Sequence, residues 1–229
     1  MNKFHPLQYA NNTQPTATQP LPLKPGPKLY SETVSGVQTT MIITDSMTGG
    51  VKAKCLKKNI GGNKEEIIFR RFPGHTAEDI AFYASKPLCD TKPDQVIIVA
   101  GTNDLGQYVY RNENVDEYVV VDSIMKIGRA ARENGAKKIH VSSIIIRRGY
   151  RYREIIKRVN DLLYMACVAE DFHYIDQDNI KMAHVSSDGI HLNSHGTFVL
   201  LFNVLSCFSK FDRDFMDFDD DYQYAISMC

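Results

Sequence analysis

Three short segments, far apart in the chain, together contain the groups needed for acyl transfer. Ser46 follows an apolar run, and Asn103 stands in a Gly-Thr-Asn-Asp segment that follows another apolar run. Near the C-terminal end, Asp188 precedes His191 by three residues. These side chains supply a hydroxyl nucleophile, an amide donor, a base and a carboxylate that can orient the base. Hydrolysis of an acyl ester is therefore the chemistry that this set of residues indicates.

The spacing of Asp188 and His191 suits the base of such a site. A serine hydroxyl is a weak nucleophile at neutral pH and needs a base within hydrogen-bonding distance. In a compact turn the Asp188 carboxylate can accept from one imidazole nitrogen, which leaves the other nitrogen to take the proton of Ser46. The developing oxyanion needs hydrogen-bond donors. The candidates are the Ser46 amide, the Gly74 amide and the side-chain amide of Asn103.

Each of these residues also has a purely structural interpretation. Ser46 could be a helix N-cap, because serine is common at that position. Asp188-Gly189 could be a turn and nothing more. His195, four residues after His191, could extend the segment into a metal site. The combination of the segments favours the catalytic interpretation, and we expect neither a metal nor an organic cofactor.

Apolar runs of strand length alternate along the chain with segments of helical periodicity. The predicted strands are Thr40–Thr44, Glu66–Phe69, Gln95–Ala100, Lys138–Ile144 and His173–Ile175. The predicted helices are Val51–Lys58, Ala77–Ser85, Val115–Asn134, Arg153–Ala169 and Ser194–Phe208. This alternation predicts an α/β fold, a three-layer α/β/α sandwich around a five-stranded parallel sheet. Ligands of such sheets bind beyond the carboxyl ends of the strands, which is where Ser46 and Asn103 fall.

The motifs resemble those of the SGNH (GDSL-type) hydrolase superfamily over nearly the whole predicted domain. The four motif residues of that family correspond here to Ser46, Gly74, Asn103 and His191, and Asp188 completes a triad. The resemblance implies a flavodoxin-like topology and a serine esterase that acts on a short-chain acyl ester such as acetyl. It also implies a small-molecule or carrier-bound ester as substrate. The motifs look most like SGNH domains found in some retroelement-encoded and animal proteins.

The residues beside the motif residues include one departure from the family pattern. Thr44 stands where the family usually has glycine, two residues before Ser46. A β-branched residue does not readily adopt the positive φ angles open to glycine. If the turn needs that freedom, Ser46 is displaced; if it does not, Thr44 is tolerated. We expect Asp45 and Asp104 to hold backbone amides of their loops rather than to act in catalysis.

A run of arginines and tyrosines follows the fourth predicted strand, Arg147-Arg148-Gly149-Tyr150-Arg151-Tyr152-Arg153. Such a run can hold phosphate and stack on bases, or it can attract an anionic ester. It can also be a solvated loop whose arginines pair with acidic residues. The SGNH branch is also similar to a catalytically inactive, RNA-binding offshoot. The alternative function is therefore an SGNH-fold module with little or no activity that binds RNA through Arg147, Arg148, Arg151 and Arg153.

Composition suggests the bounds of the domain and its surroundings. Residues 1–36 are rich in Pro, Thr and Gln and predict a disordered arm, 37–210 form the α/β domain, and 211–229 form an acidic tail with Phe and Tyr. The formal net charge is zero, so nucleic-acid binding would need a local basic patch. Five scattered cysteines, with no signal segment or membrane-length apolar run, predict an intracellular, cytoplasmic protein. The oligomeric state is not indicated.

Overall fold

The computed structural model describes residues 37–49, 51, 65–110 and 114–208. The strands are β1 (Gln38–Thr44), β2 (Glu65–Arg71), β3 (Gln95–Val99), β4 (Lys138–Ser142) and β5 (His173–Ile175). The helices are α1 (Ala77–Thr91), α2 (Thr102–Tyr110), α3 (Glu117–Glu133), α4 (Tyr150–Ala169) and α5 (Ser194–Leu205). Short 3-10 helices occupy Ser46–Thr48 and Met182–His184. The predicted arm, the acidic tail and the helix predicted at Val51–Lys58, except Val51 itself, lie outside the described residues.

The strands form one parallel sheet in the order β2-β1-β3-β4-β5. The last residue of β1, Thr44, is paired with Arg71 on one side and with Val99 on the other. The chain changes direction across the sheet between β1 and β3, and ligands of doubly wound sheets bind at such a switch point. Ser46 lies two residues after the end of β1, and Asn103 lies four residues after the end of β3. The prediction of an α/β fold with a five-stranded parallel sheet is confirmed.

Helices cover both faces of the sheet, which explains why its strands are almost entirely apolar. Side chains of successive strand residues point to opposite faces. Met41 and Ile43 therefore pack with α1, α3 and α4, whereas Ile42 between them packs with α5. All three side chains are fully buried. Within the described ranges, every helix is either too short or too polar to cross a membrane.

The helices differ from the predictions in their number and in their bounds, and α3 and α5 are each shorter than predicted. Helix α2 was not predicted: it begins at Thr102 and spans nine residues, and its glycine and Asn-Asp start is typical of a turn. Helices α1 and α4 are longer than predicted, because α1 continues to Thr91 and α4 begins at Tyr150. Packing against the sheet supports such extensions where local propensity is weak. The arginines at 151 and 153 are thus helical.

Gly101, which joins β3 to α2, offers a test of how tightly this connection is packed. Its φ is +104°, and a Cβ there would lie 2.8 Å from Ile144 Cδ1. Gly135 has a similar φ of +97°, with nothing within 4 Å of a Cβ. Gly101→Ala should therefore cost about 1–3 kcal/mol more in unfolding free energy than Gly135→Ala. Urea unfolding of both variants measures the difference, and equal losses would contradict the close packing.

Candidate active site

Ser46 begins a single 3-10 turn at the carboxyl end of β1. Asp45 caps this turn, since its Oδ1 accepts a hydrogen bond from the Met47 amide at 2.9 Å. The Asp45 amide donates to the Val99 carbonyl at 3.1 Å, which fixes the turn to the end of β3. Met47 and Thr48 are buried, whereas Ser46 is only half-buried. The serine thus lies at the surface of a turn that is anchored below it.

Thr44 is compatible with this turn. In the described part of the chain, the non-glycine residues with positive φ are Lys92 and Asp171, so Thr44 does not need the conformational freedom of glycine. Thr44 is fully buried. Its hydroxyl donates to the Asp45 carbonyl at 3.2 Å and accepts from the Thr48 hydroxyl at 3.0 Å. The threonine therefore adds hydrogen bonds to the turn that a glycine could not form.

Asn103 is joined to the loop that contains Gly74. That loop is a turn in which the His75 amide donates to the Phe72 carbonyl at 3.2 Å. Gly74 has a φ of +78°, as the third residue of a type II turn requires. Asn103 Nδ2 donates to the His75 carbonyl at 3.0 Å. This bond uses one of the two amide hydrogens, fixes the plane of the amide and leaves the second hydrogen for a ligand.

Two further hydrogen bonds fix the same loop to its neighbours. The Asp104 carboxylate accepts from the amide of Ala77, the first residue of α1, at 2.9 Å. The Phe72 amide donates to the Thr44 carbonyl at 2.8 Å. The loops after β1, β2 and β3 therefore form one hydrogen-bonded unit. The prediction that Asp45 and Asp104 hold loop amides is confirmed.

Asp45 and Asp104 are both buried beneath these loops. Burial raises the pKa of each carboxyl to about 6, although the backbone amides that each one binds act in the opposite direction. Their mutual repulsion also favours protonation of Asp45. Both carboxyls consequently bind a proton more readily in the folded chain than in the unfolded chain.

The loop from Ser186 to His191 is organised around one carboxylate. Asp188 Oδ1 accepts from the Ile190 amide at 2.8 Å, the His191 amide at 2.9 Å and the Ser186 hydroxyl at 2.7 Å. Asp188 Oδ2 lies 2.7 Å from His191 Nδ1. These donors, the Ile190 amide above all, hold the pKa of Asp188 well below its usual range. Ser186 was missed at the sequence level, because no motif marks a serine two residues before the aspartate.

The ionised Asp188 determines which imidazole nitrogen carries the proton. Nδ1 of a neutral His191 must donate to the carboxylate, so Nε2 is the acceptor. The two side chains are about half exposed, at 47% for Asp188 and 48% for His191. The His191 carbonyl accepts from the Ser186 amide at 2.8 Å, which closes the loop at its base. The imidazole is thus oriented on one side and open on the other.

The predicted site residues are brought together in two groups. Asp188 contacts His191, and Asn103 contacts the loop of Gly74. Within the part of the chain that the structure describes, the Ser46 hydroxyl forms no hydrogen bond with His191. Both groups follow carboxyl ends of strands.

His195 lies beside His184, and their ring centroids are 4.6 Å apart. Among the described residues, no group of three or more His, Cys, Asp or Glu side chains is arranged to hold a metal ion.

The arginine run does not form one exposed cluster. Arg147 is buried, its Nη1 donates to the Thr102 carbonyl at 2.7 Å, and its guanidinium lies 4.9 Å from the centroid of the Tyr152 ring. Burial thus separates Arg147 from an exposed basic cluster, and anion binding through this run of arginines stays a prediction. The other arginines of the run, Arg148, Arg151 and Arg153, are exposed.

No protein-family model matches the sequence, and neither does any curated protein. Solved structures do match. A GDSL-like lipase from Bacteroides thetaiotaomicron is 17% identical, with a TM-score of 0.60 over 76% of this chain and 88% of that chain. A lipase/acylhydrolase from Enterococcus faecalis is 21% identical, with a TM-score of 0.61 over 74% and 94%. A mutant acetyl-xylooligosaccharide esterase from Geobacillus is 14% identical, with a TM-score of 0.66 over 77% and 96%.

The chain has the fold of the GDSL-like acylhydrolases. The similarity covers most of each neighbour's length, so the shared fold is not confined to one motif. The predicted resemblance to the SGNH superfamily is confirmed at the level of the fold. A closer relation to retroelement-encoded and animal SGNH domains stays a prediction.

The buried carboxyl of Asp104 predicts an unusual pH dependence of stability. Its pKa of about 6 in the folded chain lies above the ordinary value of 3.8 for an aspartate. Its contribution to the free energy of unfolding is therefore fully present below pH 3.8 and is lost as the pH rises through about 6. The loss is at most about 3 kcal/mol. Asp104→Asn keeps an acceptor for the Ala77 amide but does not titrate. We expect this variant to be more stable than the wild type at neutral pH.

Urea unfolding at mildly acidic and neutral pH tests this expectation. The free energy of unfolding of the wild type should decrease more between the two pH values than that of Asp104→Asn. Asp161→Asn, which changes an exposed carboxylate on α4, serves as the matched control and should keep the wild-type difference. An Asp104→Asn variant with the same pH dependence as the wild type would contradict the assignment.

Proposed function

We propose that this chain is a serine esterase that hydrolyses short-chain acyl esters, acetyl esters in particular, of a small-molecule or carrier-bound alcohol. The observation that carries the proposal is the 2.7 Å contact between Asp188 Oδ2 and His191 Nδ1, which prepares Nε2 as a base. The fold supports it, because the GDSL-like lipases and the acetyl-xylooligosaccharide esterase share this architecture. The acetyl preference rests on the latter similarity and on the family resemblance.

In the proposed acylation, Ser46 Oγ attacks the ester carbonyl while His191 Nε2 takes the hydroxyl proton. The Ser46–acyl bond forms as the carbonyl electrons move onto the oxygen. The resulting imidazolium is stabilised by Asp188, which stays ionised throughout. His191 then gives the proton to the leaving alcohol as the ester bond breaks. Catalytic hydrogen bonds are often long in free enzymes and shorten with substrate, so the Ser46–His191 bond is expected to form in the complex.

The oxyanion is held by the Ser46 amide, the Gly74 amide and Asn103 Nδ2. Asn103 suits this role because its bond to the His75 carbonyl already fixes the amide plane. Such a donor needs no reorganisation when charge develops. Gly74 has open space where a Cβ would lie, which lets a substrate oxygen approach the turn. Its loop and the Ser46 turn are joined by the hydrogen bond from Phe72 to Thr44.

In the proposed deacylation, a water molecule replaces the alcohol. His191 Nε2 takes a proton from the water, the hydroxide oxygen bonds to the acyl carbon, and the same donors hold the second oxyanion. Collapse releases the carboxylic acid, and His191 returns the proton to Ser46 Oγ. Every proton is thus carried by one imidazole, and the cycle ends with the chain in its starting state.

Loss of the nucleophile should abolish the activity. Ser46→Ala is expected to lower kcat for an acetyl ester by at least about 10³-fold and to abolish labelling by a fluorophosphonate. Ser85→Ala, an exposed serine on α1 whose hydroxyl donates to the Ala81 carbonyl, is the matched control and should be labelled like the wild type. A series of esters from acetyl to long acyl chains measures the chain-length preference. No labelling of the wild type, together with salt-sensitive RNA binding, would favour the alternative function instead.

Asp188→Asn tests the orientation of the base. The asparagine amide would present a donor or a weaker acceptor to Nδ1, which favours the wrong imidazole tautomer. We expect kcat to fall by about 10³–10⁴-fold with little change in KM. Asp176→Asn is the control, because Asp176 is an exposed aspartate that directly follows β5. This variant should keep the wild-type kcat. Comparable kcat values for Asp188→Asn and the wild type would rule out a triad that uses Asp188.

A further inference from the structure

Arg147 and Arg148 are adjacent in the β4–α4 loop, yet their side chains reach opposite parts of the site. Arg147 donates to the Thr102 carbonyl, at the start of α2. Arg148 reaches the carbonyls of Ser187 and Ser186. The two contacts join segments that are otherwise far apart in the sequence. Each guanidinium donates to backbone carbonyls, so these contacts hold the backbone in place and do not form an anion site.

The contact of Arg147 is made to the peptide unit that carries Asn103. The carbonyl of Thr102 lies in the same peptide plane as the backbone N–H of Asn103. The 2.7 Å bond from Arg147 Nη1 to this carbonyl therefore fixes the backbone of Asn103, whose side chain is the proposed oxyanion donor. Gly106, one helical turn later, accommodates the guanidinium: a Cβ at this position would lie 2.6 Å from Arg147 Nη1. A glycine inside a helix is unfavourable relative to alanine. Gly106 is explained by this contact, because the absence of a Cβ leaves the space that the Arg147 guanidinium occupies.

Arg148 makes the equivalent contact to the acid–base loop. Its Nη1 donates at 3.1 Å to the carbonyl of Ser187, which shares a peptide plane with the Asp188 amide. Its own amide donates at 2.9 Å to the Gly189 carbonyl, on the other side of Asp188. A Cβ on Gly189 would lie 2.9 Å from Arg148 Cβ. The arginine therefore holds the backbone on both sides of Asp188, in space that a glycine leaves free.

We propose that Arg147 and Arg148 are positioning residues that hold the proposed oxyanion donor Asn103 and the Asp188–His191 pair in a fixed relation. This inference rests on the proposed esterase function. The two arginines extend from one short loop, so a displacement of either group relative to the other must strain that loop. Small displacements of reacting groups lower rates strongly, by up to about 10²-fold for 1 Å. Neither arginine touches the reacting atoms in this scheme.

Steady-state kinetics on an acetyl ester test the positioning role of Arg148 in the full-length chain. Arg148→Ala should lower kcat by about 10–100-fold while KM changes by less than about twofold. Arg158→Ala removes an exposed arginine of α4 that pairs with Glu117 and should match the wild type in both constants. An Arg148→Ala variant with raised KM and unchanged kcat would show substrate binding and overturn the proposal.

Gly106→Ala tests the Arg147 contact without removing the arginine. The added Cβ displaces the guanidinium from the Thr102 carbonyl, although alanine by itself favours the helix. We expect kcat to fall about 10-fold or more without loss of folded protein, and Gln107→Ala on the same helix to have no effect. A Gly106→Ala enzyme with wild-type kcat would overturn the role of Arg147.

A spectroscopic measurement separates failure of this proposal from failure of the proposed function. The His191 Nδ1 proton, held against Asp188, should give a low-field NMR resonance, assigned by its absence in His191→Gln. It should shift or broaden in Arg148→Ala and stay unchanged in Arg158→Ala. An unchanged resonance in Arg148→Ala overturns the positioning role, whether or not the wild type hydrolyses esters. If the wild type does not hydrolyse esters but the His191 resonance changes in Arg148→Ala, the esterase function is overturned and the positioning role of Arg148 is supported.

Discussion

The parallel pairing of β1 with both β2 and β3 is the constraint on which the rest of the structure depends. Thr44 is paired with Arg71 and with Val99, so the three strands end at one level. Backbone hydrogen bonds from Phe72 to Thr44 and from Asp45 to Val99 continue this pairing beyond the strands. A slip of one residue would exchange the two faces of β1 and move its turn away from both neighbours. The strand pairing therefore determines where the loops after β1, β2 and β3 lie relative to one another, independently of the side chains that would react.

The carboxylates near the site are placed in two opposite environments, and this difference suits the proposed role of Asp188 and the anchoring contacts of Asp45 and Asp104. Asp188 is half exposed and accepts from several donors, which lower its pKa, so it stays charged beside His191 over the whole neutral range. Asp45 and Asp104 are buried, and burial raises their pKa values to about 6. These two carboxyls anchor backbone amides at a cost in stability near neutral pH. The chain thus accepts unfavourable buried charge in order to hold the loops that carry Ser46 and Asn103.

What could be predicted from the sequence was mostly local. The strands were recognisable because both faces of the sheet are covered, and Asp188 needs a single turn to reach His191, a contact that the structure forms. Burial of Arg147 could not be predicted, because its partner Thr102 is 45 positions away and no periodic pattern marks such a pair. The helix that begins at Thr102 was not predicted, because Gly101 and Asn103-Asp104 near its start are typical of a turn. The question raised by Thr44 needed backbone angles and hydrogen bonds, which a sequence does not contain.

The way in which these loops are held is compatible with a fold that the solved neighbours share at 14–21% identity. Most positioning hydrogen bonds end on backbone groups, among them the carbonyls of His75, Thr102 and Ser187 and the amide of Ala77. A backbone group does not depend on the side chain of its residue, so these positions can change freely while the contact persists. Thr44 fits this view, because its side chain leaves the backbone hydrogen bonds at Thr44 and Asp45 undisturbed.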